Sequence, residues 1–329
     1  MSMLKHDKFI KARDFIFAHG NDIDRAWFRY IFEDNNTDAF LEVLAQYQYK
    51  NGGFGGLYYE FDYQGPCLKS TEIAVKYILN LKEKPSSTHP LIQNMMKYIL
   101  DAYIPERGNW GEVVVPEVNE GAHCYWVRYR GEDTTPIANE EERIKKYSAN
   151  EKVCFAAFVS YYSEFVPKDL YHDIIKYPIE YISRYWDENS KEYNKNIFDK
   201  GEPYDIEYFQ WFVPCLKDKS ITNKLISILC QKPTAFMELD FTKSENDYVH
   251  LPCDVVSSPN SIIYAVVKDL VLDSLEYRMN QQGDDGRWLL GWSFGDNEAL
   301  RKLQIKYEAY RTLAMLEKLD KFGMVEKEV

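Results

Sequence analysis

Three observations predict an all-α fold for this chain of 329 residues. Apolar residues recur with a 3.6-residue period through most of its length. A turn that opens with Gln and closes with glycine and an aromatic ring follows an apolar helix near each end. No Pro- or Ser-rich linker interrupts the chain, so residues 1–329 read as a single domain, long enough to bury a substantial core.

The elements follow from the stripes. Phe40, Val43, Leu44 and Tyr47 stand at i, i+3, i+4 and i+7 behind Asn35-Asn36-Thr37, a polar start suited to an N-cap. Ile73, Tyr77 and Leu81 form a second face, widened by Ala74 and Ile78. Pro90 suits the first turn of a helix carrying Leu91, Met95, Ile99 and Ala102. Further on, Ile263, Val266, Leu270 and Ser274 mark one helix, and Leu300, Leu303, Tyr307, Tyr310 and Ala314 another. Each stripe is expected to face the core. Helices also fit residues 7–18, 22–33, 145–164, 168–185, 204–216 and 219–231. The longest loop runs from Glu106 to Asn139, and a loop of that length in a compact domain points to function.

Composition narrows the function classes. The net charge of −12 and the lack of a basic stripe argue against nucleic acid as a partner. Six scattered cysteines without a C-x-x-C pair fit buried thiols in a reducing compartment. No hydrophobic signal core opens the chain, and no apolar run approaches the ~18 residues of a membrane span. A soluble, cytoplasmic protein is expected. Aromatic residues make up 16%, with 26 Tyr, 18 Phe and 7 Trp, more rings than a plain bundle needs and enough to line a cavity.

The repeated turn is Gln46-Tyr-Gln48-Tyr-Lys-Asn51-Gly52-Gly53-Phe54-Gly55 near the N-terminus and Gln281-Gln282-Gly283-Asp284-Asp285-Gly286-Arg287-Trp288 near the C-terminus. A weaker relative is Arg107-Gly108-Asn109-Trp110-Gly111. Glycine permits the positive φ that ends a helix, the ring packs back on the helix pair, and the Gln amide can tie the loop to a neighbouring helix end. These turns are read as staples between repeats. The Phe54-to-Trp110 spacing suits one helical hairpin per repeat.

With these turns, and with Arg25-Ala-Trp27-Phe28-Arg29-Tyr30, Asn51 to Asp62, Ala122-His123 through Trp126, and Gly286-Arg-Trp288 through Trp292-Ser-Phe294-Gly295, the chain resembles the squalene-cyclase and protein-prenyltransferase superfamily, most closely a group of bacterial prenyltransferase-like proteins. The resemblance spans most of the chain. It implies an α/α toroid, two concentric layers of helices around a central cavity.

The chemistry of that superfamily does not carry over. The Asp-x-Asp-Asp box of protonating cyclases is missing; the nearest fragment, Glu132-Asp133-Thr134-Thr135, lies beside Arg128 and Arg130, which would lower rather than raise an acid's pKa. Asp284-Asp285 lacks the third ligand of an Asp-Asp-x-x-Asp magnesium site. Cys253-Asp254, with His250 three residues before the Cys, has the wrong order and spacing for the zinc site, and no metal site is assigned. The sequence names no cofactor.

What remains is a set of acids and rings just beyond the turns. Glu60, Asp62, His123 and Asp285 are the catalytic candidates, and Trp110, Trp126, Trp288 and Trp292 the ligand-binding ones. Two carboxylates, a His and stacking rings suit acid–base work on a sugar, and the same rings could hold an isoprenoid. Alternatively, Glu60 and Asp62 cap helices or pair with Arg25 and Arg29. The resemblance favours an isoprenoid or other apolar ligand in an aromatic-lined cavity. The alternatives are a carbohydrate-active enzyme using rim carboxylates and a noncatalytic binding module.

Overall fold

The computed structural model describes residues 2–110, 149–183, 186–187, 192–193, 203–245 and 247–326. Among these residues the chain is mostly helical, with twelve α-helices. They are α1 (His6–His19), α2 (Asp22–Arg29, running on into a π-turn at Tyr30–Asp34), α3 (Thr37–Ala45), α4 (Leu68–Asn80), α5 (Pro90–Asp101), α6 (Ala149–Tyr161), α7 (Lys168–Ser183), α8 (Pro203–Cys215), α9 (Lys219–Gln231), α10 (Pro252–Val255), α11 (Tyr264–Asn280) and α12 (Glu298–Lys321).

Local chemistry sets the helix starts. The Asn36 side chain accepts from Ala39 N to open α3, the Asp218 carboxylate accepts from Ser220 N and Ile221 N to open α9, and Asn297 does the same for Leu300 N at α12. Pro90 occupies the first turn of α5, where its missing N–H costs nothing, and His89 Nδ1 accepts from Leu91 N. Where the period was clear, the helices lie close to the predicted ranges. The sequence did not show two short antiparallel ladders, β1 (Tyr103–Ile104) with β2 (Asn109–Trp110) and β3 (Trp186–Asp187) with β4 (Glu192–Tyr193). Both are too short for the alternation that marks a strand.

Each helix hands on to the next. α2 meets α4 through ring contacts of Trp27 and Tyr77, 5.1 Å apart, and α4 packs on α6, α6 on α8, and α8 on α10. Lys318 of α12 reaches the Cys253 carbonyl of α10, and α12 packs on both α1 and α2. The chain ends are tied together as well: Leu4 N donates to Met324 O and Glu326 N to Leu4 O.

The two clear copies of the turn do the same work. Gln48 Nε2 donates to Gly52 O and to Leu91 O in the first turn of α5; Gln282 Nε2 donates to Gly286 O and to Lys8 O in the first turn of α1. Phe54 N donates to Thr71 Oγ1 on α4, and Trp288 N to Thr312 Oγ1 on α12. Gly52 and Gly286 both sit at φ +91°, and a Cβ on Gly286 would stand 2.3 Å from the Lys11 carbonyl carbon. Only glycine fits there. α1 therefore serves α12 as α5 serves α4. The weaker copy shares one feature: Trp110 Nε1 donates to Ile99 O on the helix before it, as Trp288 Nε1 donates to Arg278 O.

Two stripes read as core are not wholly so. Ile263 and Ser274 are buried, but Val266 is 53% exposed. On α12, Leu303 is buried, whereas Tyr307 and Tyr310 are only half-buried because they face a polar interior.

A candidate ligand site between the inner helix faces

Polar and ring side chains from five helices and two loops converge on one interior region. α12 contributes Tyr307, Arg311 and Lys318 at i, i+4 and i+11, one face of the helix, with Tyr310 beside them. α4 contributes Lys69, Glu72 and Lys76 at i, i+3 and i+7. α8 adds Glu207, Tyr208 and Trp211, α10 adds Asp254, and α2 adds Asp24. The segment after the first turn supplies Tyr58 and Glu60, and the loop before α10 supplies Tyr248 and His250.

Glu72 is fully buried, between two ammonium groups: Lys69 Nζ lies 2.8 Å from one carboxylate oxygen and Lys76 Nζ 2.8 Å from the other, while Tyr208 Oη donates at 2.6 Å. Burial opposes its charge, yet Lys69 and Lys76 hold the carboxyl down to about 2. Burial also works against Lys76, but Glu72 and Glu207 keep its pKa above the ordinary lysine value. Lys76 Nζ stands 4.6 Å over the Tyr208 ring and 5.6 Å from that of Trp211.

A second anchored acid is Asp254, which accepts from Leu251 N and from Arg278 at 2.9 Å, with Lys318 at 4.0 Å. Burial would raise its pKa; Arg278, Lys318 and Arg311 hold it well below the usual carboxylate range. Asp24 differs. It is fully buried, accepts from Tyr59 Oη at 2.7 Å and from Asn21 N at 2.7 Å, and desolvation raises its pKa to about 6. Tyr59 stacks on Tyr310, with 5.1 Å between centroids.

Glu207, Tyr307, Tyr310 and Arg311 retain accessible surface; burial raises the pKa of the first three, whereas for Arg311 burial is outweighed by Tyr307, Asp254 and Tyr248, which raise it. All four therefore lie inside the molecule with part of their surface still accessible. Burial raises the pKa of Glu207, and Lys76, Lys318, Glu72 and Asp254 all act on it across the region. Among the described residues its carboxylate makes no hydrogen bond or ion pair. Tyr310, pushed up to about 12 by burial, is influenced by Lys76, Glu207 and Asp24 from three other helices. Burial holds His250 down to about 4, so it stays neutral at pH 7.

The structure brings some of the sequence candidates here and not others. Glu60 is half-buried and hydrogen-bonded to Tyr58, and its charge acts on Tyr248 and Tyr307. Trp292 packs edge-on against Tyr248 at 5.1 Å and lies 6.5 Å from Tyr307. Asp62, two residues on, is exposed and accepts from Gln64 Nε2. Asp285 is exposed and held by Arg287 at 3.0 Å on the turn that packs against α1. Trp110 and Trp288 are buried at 2% and 7% exposure, their indole N–H groups bonded to carbonyls of the preceding helices. His123 and Trp126 lie outside the described residues. The proposed pairing with Arg25 and Arg29 does not occur: Arg25 binds Asp22 and the carbonyls of Phe17 and Gly20, and Arg29 lies over the Phe17 ring.

Sequence reasoning missed Lys76, Glu207, Tyr307, Tyr310 and Arg311. The available signal was charge inside largely apolar helices: Lys69, Glu72 and Lys76 in α4, and Glu207 between Ile206 and Tyr208 in α8.

Among the described residues, no three His, Cys, Asp or Glu side chains converge as metal ligands, and no helix is long and apolar enough to cross a membrane. No protein-family model, curated protein or solved structure matches the chain.

Proposed function

We propose that the protein is an α/α toroid whose central recess binds a small polar ligand of carbohydrate type. The even-numbered helices would form the inner layer and the odd-numbered ones the outer. Supporting this are the succession of contacts α2–α4–α6–α8–α10–α12 and its return from α12 to α2. The equivalent roles of α1 and α5 against the two turns point the same way, as does the resemblance to the squalene-cyclase and prenyltransferase superfamily.

One observation carries the choice of ligand: tyrosines and ions share the recess. Tyr58, Tyr248, Tyr307 and Tyr310 offer flat faces and hydroxyls, beside Glu207, Lys76 and Arg311. A hydroxyl-rich ligand can stack on the rings and exchange hydrogen bonds with the polar groups. An isoprenoid would strip water from those charges and return nothing, at a cost of several kcal/mol per ion. That weighs against the reading drawn from the resemblance alone. Glu207 is the proton donor we assign for chemistry on such a ligand, because burial retains its proton to higher pH.

Calorimetric titration with neutral mono- and disaccharides, alongside farnesol and geranylgeraniol, tests the reading. Saccharide binding that weakens in Tyr310→Ala supports it. Binding of the isoprenoid alcohols alone, or of neither class, overturns it.

A further inference from the structure

Arg311 stands out among the charges of the recess. Asp254, the acid that acts on it, is already held by Arg278 and approached by Lys318. Among the described residues, Arg311 forms no ion pair; its partner is the Tyr307 hydroxyl one turn earlier. Glu72, the other deep carboxylate, is saturated by two lysines. Glu72 and Asp254 therefore each have two cations for one negative charge, and Arg311 adds a further positive one. It is half-buried, not spread over the surface where water would solvate it. Buried charges are normally paired, since a desolvated ion without a counter-ion costs several kcal/mol. A guanidinium presents a planar fork of donors that matches two oxygens of one anion.

We propose that Arg311 anchors an anionic group, a carboxylate or a phosphate, on the ligand of the recess. The inference rests on the polar-ligand reading above and narrows it from sugars in general to acidic ones. Tyr307 orients the fork, and Tyr248, which also feels the charge of Arg311, borders the same place. Burial works against the charge of Arg311, but Tyr307, Asp254 and Tyr248 raise its pKa, so it remains a cation. The anion-binding end is then separate in kind from the end at Glu207, where burial raises the pKa of a carboxyl.

Titrations of the whole chain and its Arg311→Gln and Arg311→Lys variants with glucuronate, glucose 6-phosphate, glucose and inorganic phosphate decide the matter. The expected result is that one acidic sugar binds roughly tenfold or more tighter than glucose, the size of one charge-assisted contact. In Arg311→Gln that preference is lost, the acidic sugar binding no tighter than glucose; Arg311→Lys recovers part of it. Preference for glucuronate assigns a carboxylate, and preference for glucose 6-phosphate assigns a phosphate. Removing an unpaired charge is also expected to leave the urea midpoint of unliganded Arg311→Gln the same or higher. A lowered midpoint would mean that the charge already has its partner within the protein, and would overturn the proposal. Glucose binding as tightly as both acids, in wild type and variant alike, overturns the anion site and leaves the carbohydrate reading standing. Binding of inorganic phosphate without any sugar keeps the anion site and removes the carbohydrate reading. Failure of all four probes removes both.

Discussion

Replacing Glu72 by Gln tests the electrostatic frame of the recess. The carboxylate lies at 0% exposure and receives Lys69, Lys76 and the Tyr208 hydroxyl at 2.8, 2.8 and 2.6 Å. Gln keeps the shape and can accept one of these donors, but it leaves two ammonium groups desolvated and uncompensated. Removing one partner of a buried pair costs about 3–5 kcal/mol. Proton linkage gives a figure of the same order. A carboxyl at about 2 in the folded state, against its ordinary 4.5, is worth about 3 kcal/mol. The folded-state pKa is depressed, so this contribution is fully present above pH 4.5 and is lost as the pH falls through about 2. Urea unfolding at pH 7 should show E72Q weaker by about 3 kcal/mol, with the gap to wild type narrowing steadily as the pH falls from 4.5 towards 2. A loss under 1 kcal/mol at pH 7, or a gap that does not change with pH, would refute the reasoning.

Three further outcomes are expected. Asp24→Asn should gain on wild type as the pH rises: burial lifts the Asp24 pKa to about 6, so the contribution of its protonated form, complete below 3.8, disappears through pH 6. The relative gain should approach 2–3 kcal/mol by order of magnitude, and a difference in Tm that stays flat from pH 4 to 7 rules it out. Glu207→Gln should be at least as stable as wild type at pH 7, because removing a carboxylate that burial disfavours relieves a cost present only at higher pH; a clear loss of stability would show a structural partner instead. Gly286→Ala should cost more than ~2 kcal/mol in urea unfolding, since φ is +91° and the new Cβ would meet the Lys11 backbone at 2.3 Å; Gly108→Ala, at φ +60° with open space around it, should cost about 1 kcal/mol. Equal losses at the two glycines would mean that the turn does not hold α12 against α1.

The sequence and the structure agree where one periodicity decides the outcome. α3, α5 and α9 carry apolar residues on one side and caps at their starts, and their limits could be read directly. The Gln turns were legible for a related reason: a single side chain and a single glycine four residues later fix each one. The recess was harder to see. Tyr307 and Tyr310 fall on the same apolar stripe as Leu303, and nothing in the spacing distinguishes a ring that fills a core from one that borders a space. Arg311, Lys76 and Glu207 are 235 and 131 residues apart along the chain when taken in order from Lys76 to Arg311 and from Lys76 to Glu207. Their meeting depends on how the helices are arranged, which local pattern does not encode. Glu60 and Trp292 are candidates because each lies just past a turn, and both come near Tyr248; Asp285 is a candidate on the same ground, but it is exposed and held by Arg287. Trp110 and Trp288 drew notice as large rings, and their indole N–H groups are engaged in stapling instead.

The central claim is that a recess lined by tyrosines and charges holds a hydrophilic small molecule. Native mass spectrometry tests it most directly, with the protein incubated in an equimolar mixture of neutral saccharides, sugar acids, sugar phosphates and isoprenoid alcohols. The account predicts a one-to-one adduct drawn from the hydrophilic members and lost in a Tyr310→Ala, Arg311→Gln double variant that unfolds at the wild-type urea concentration. An adduct of an isoprenoid alcohol, or no adduct from any hydrophilic member, would contradict it.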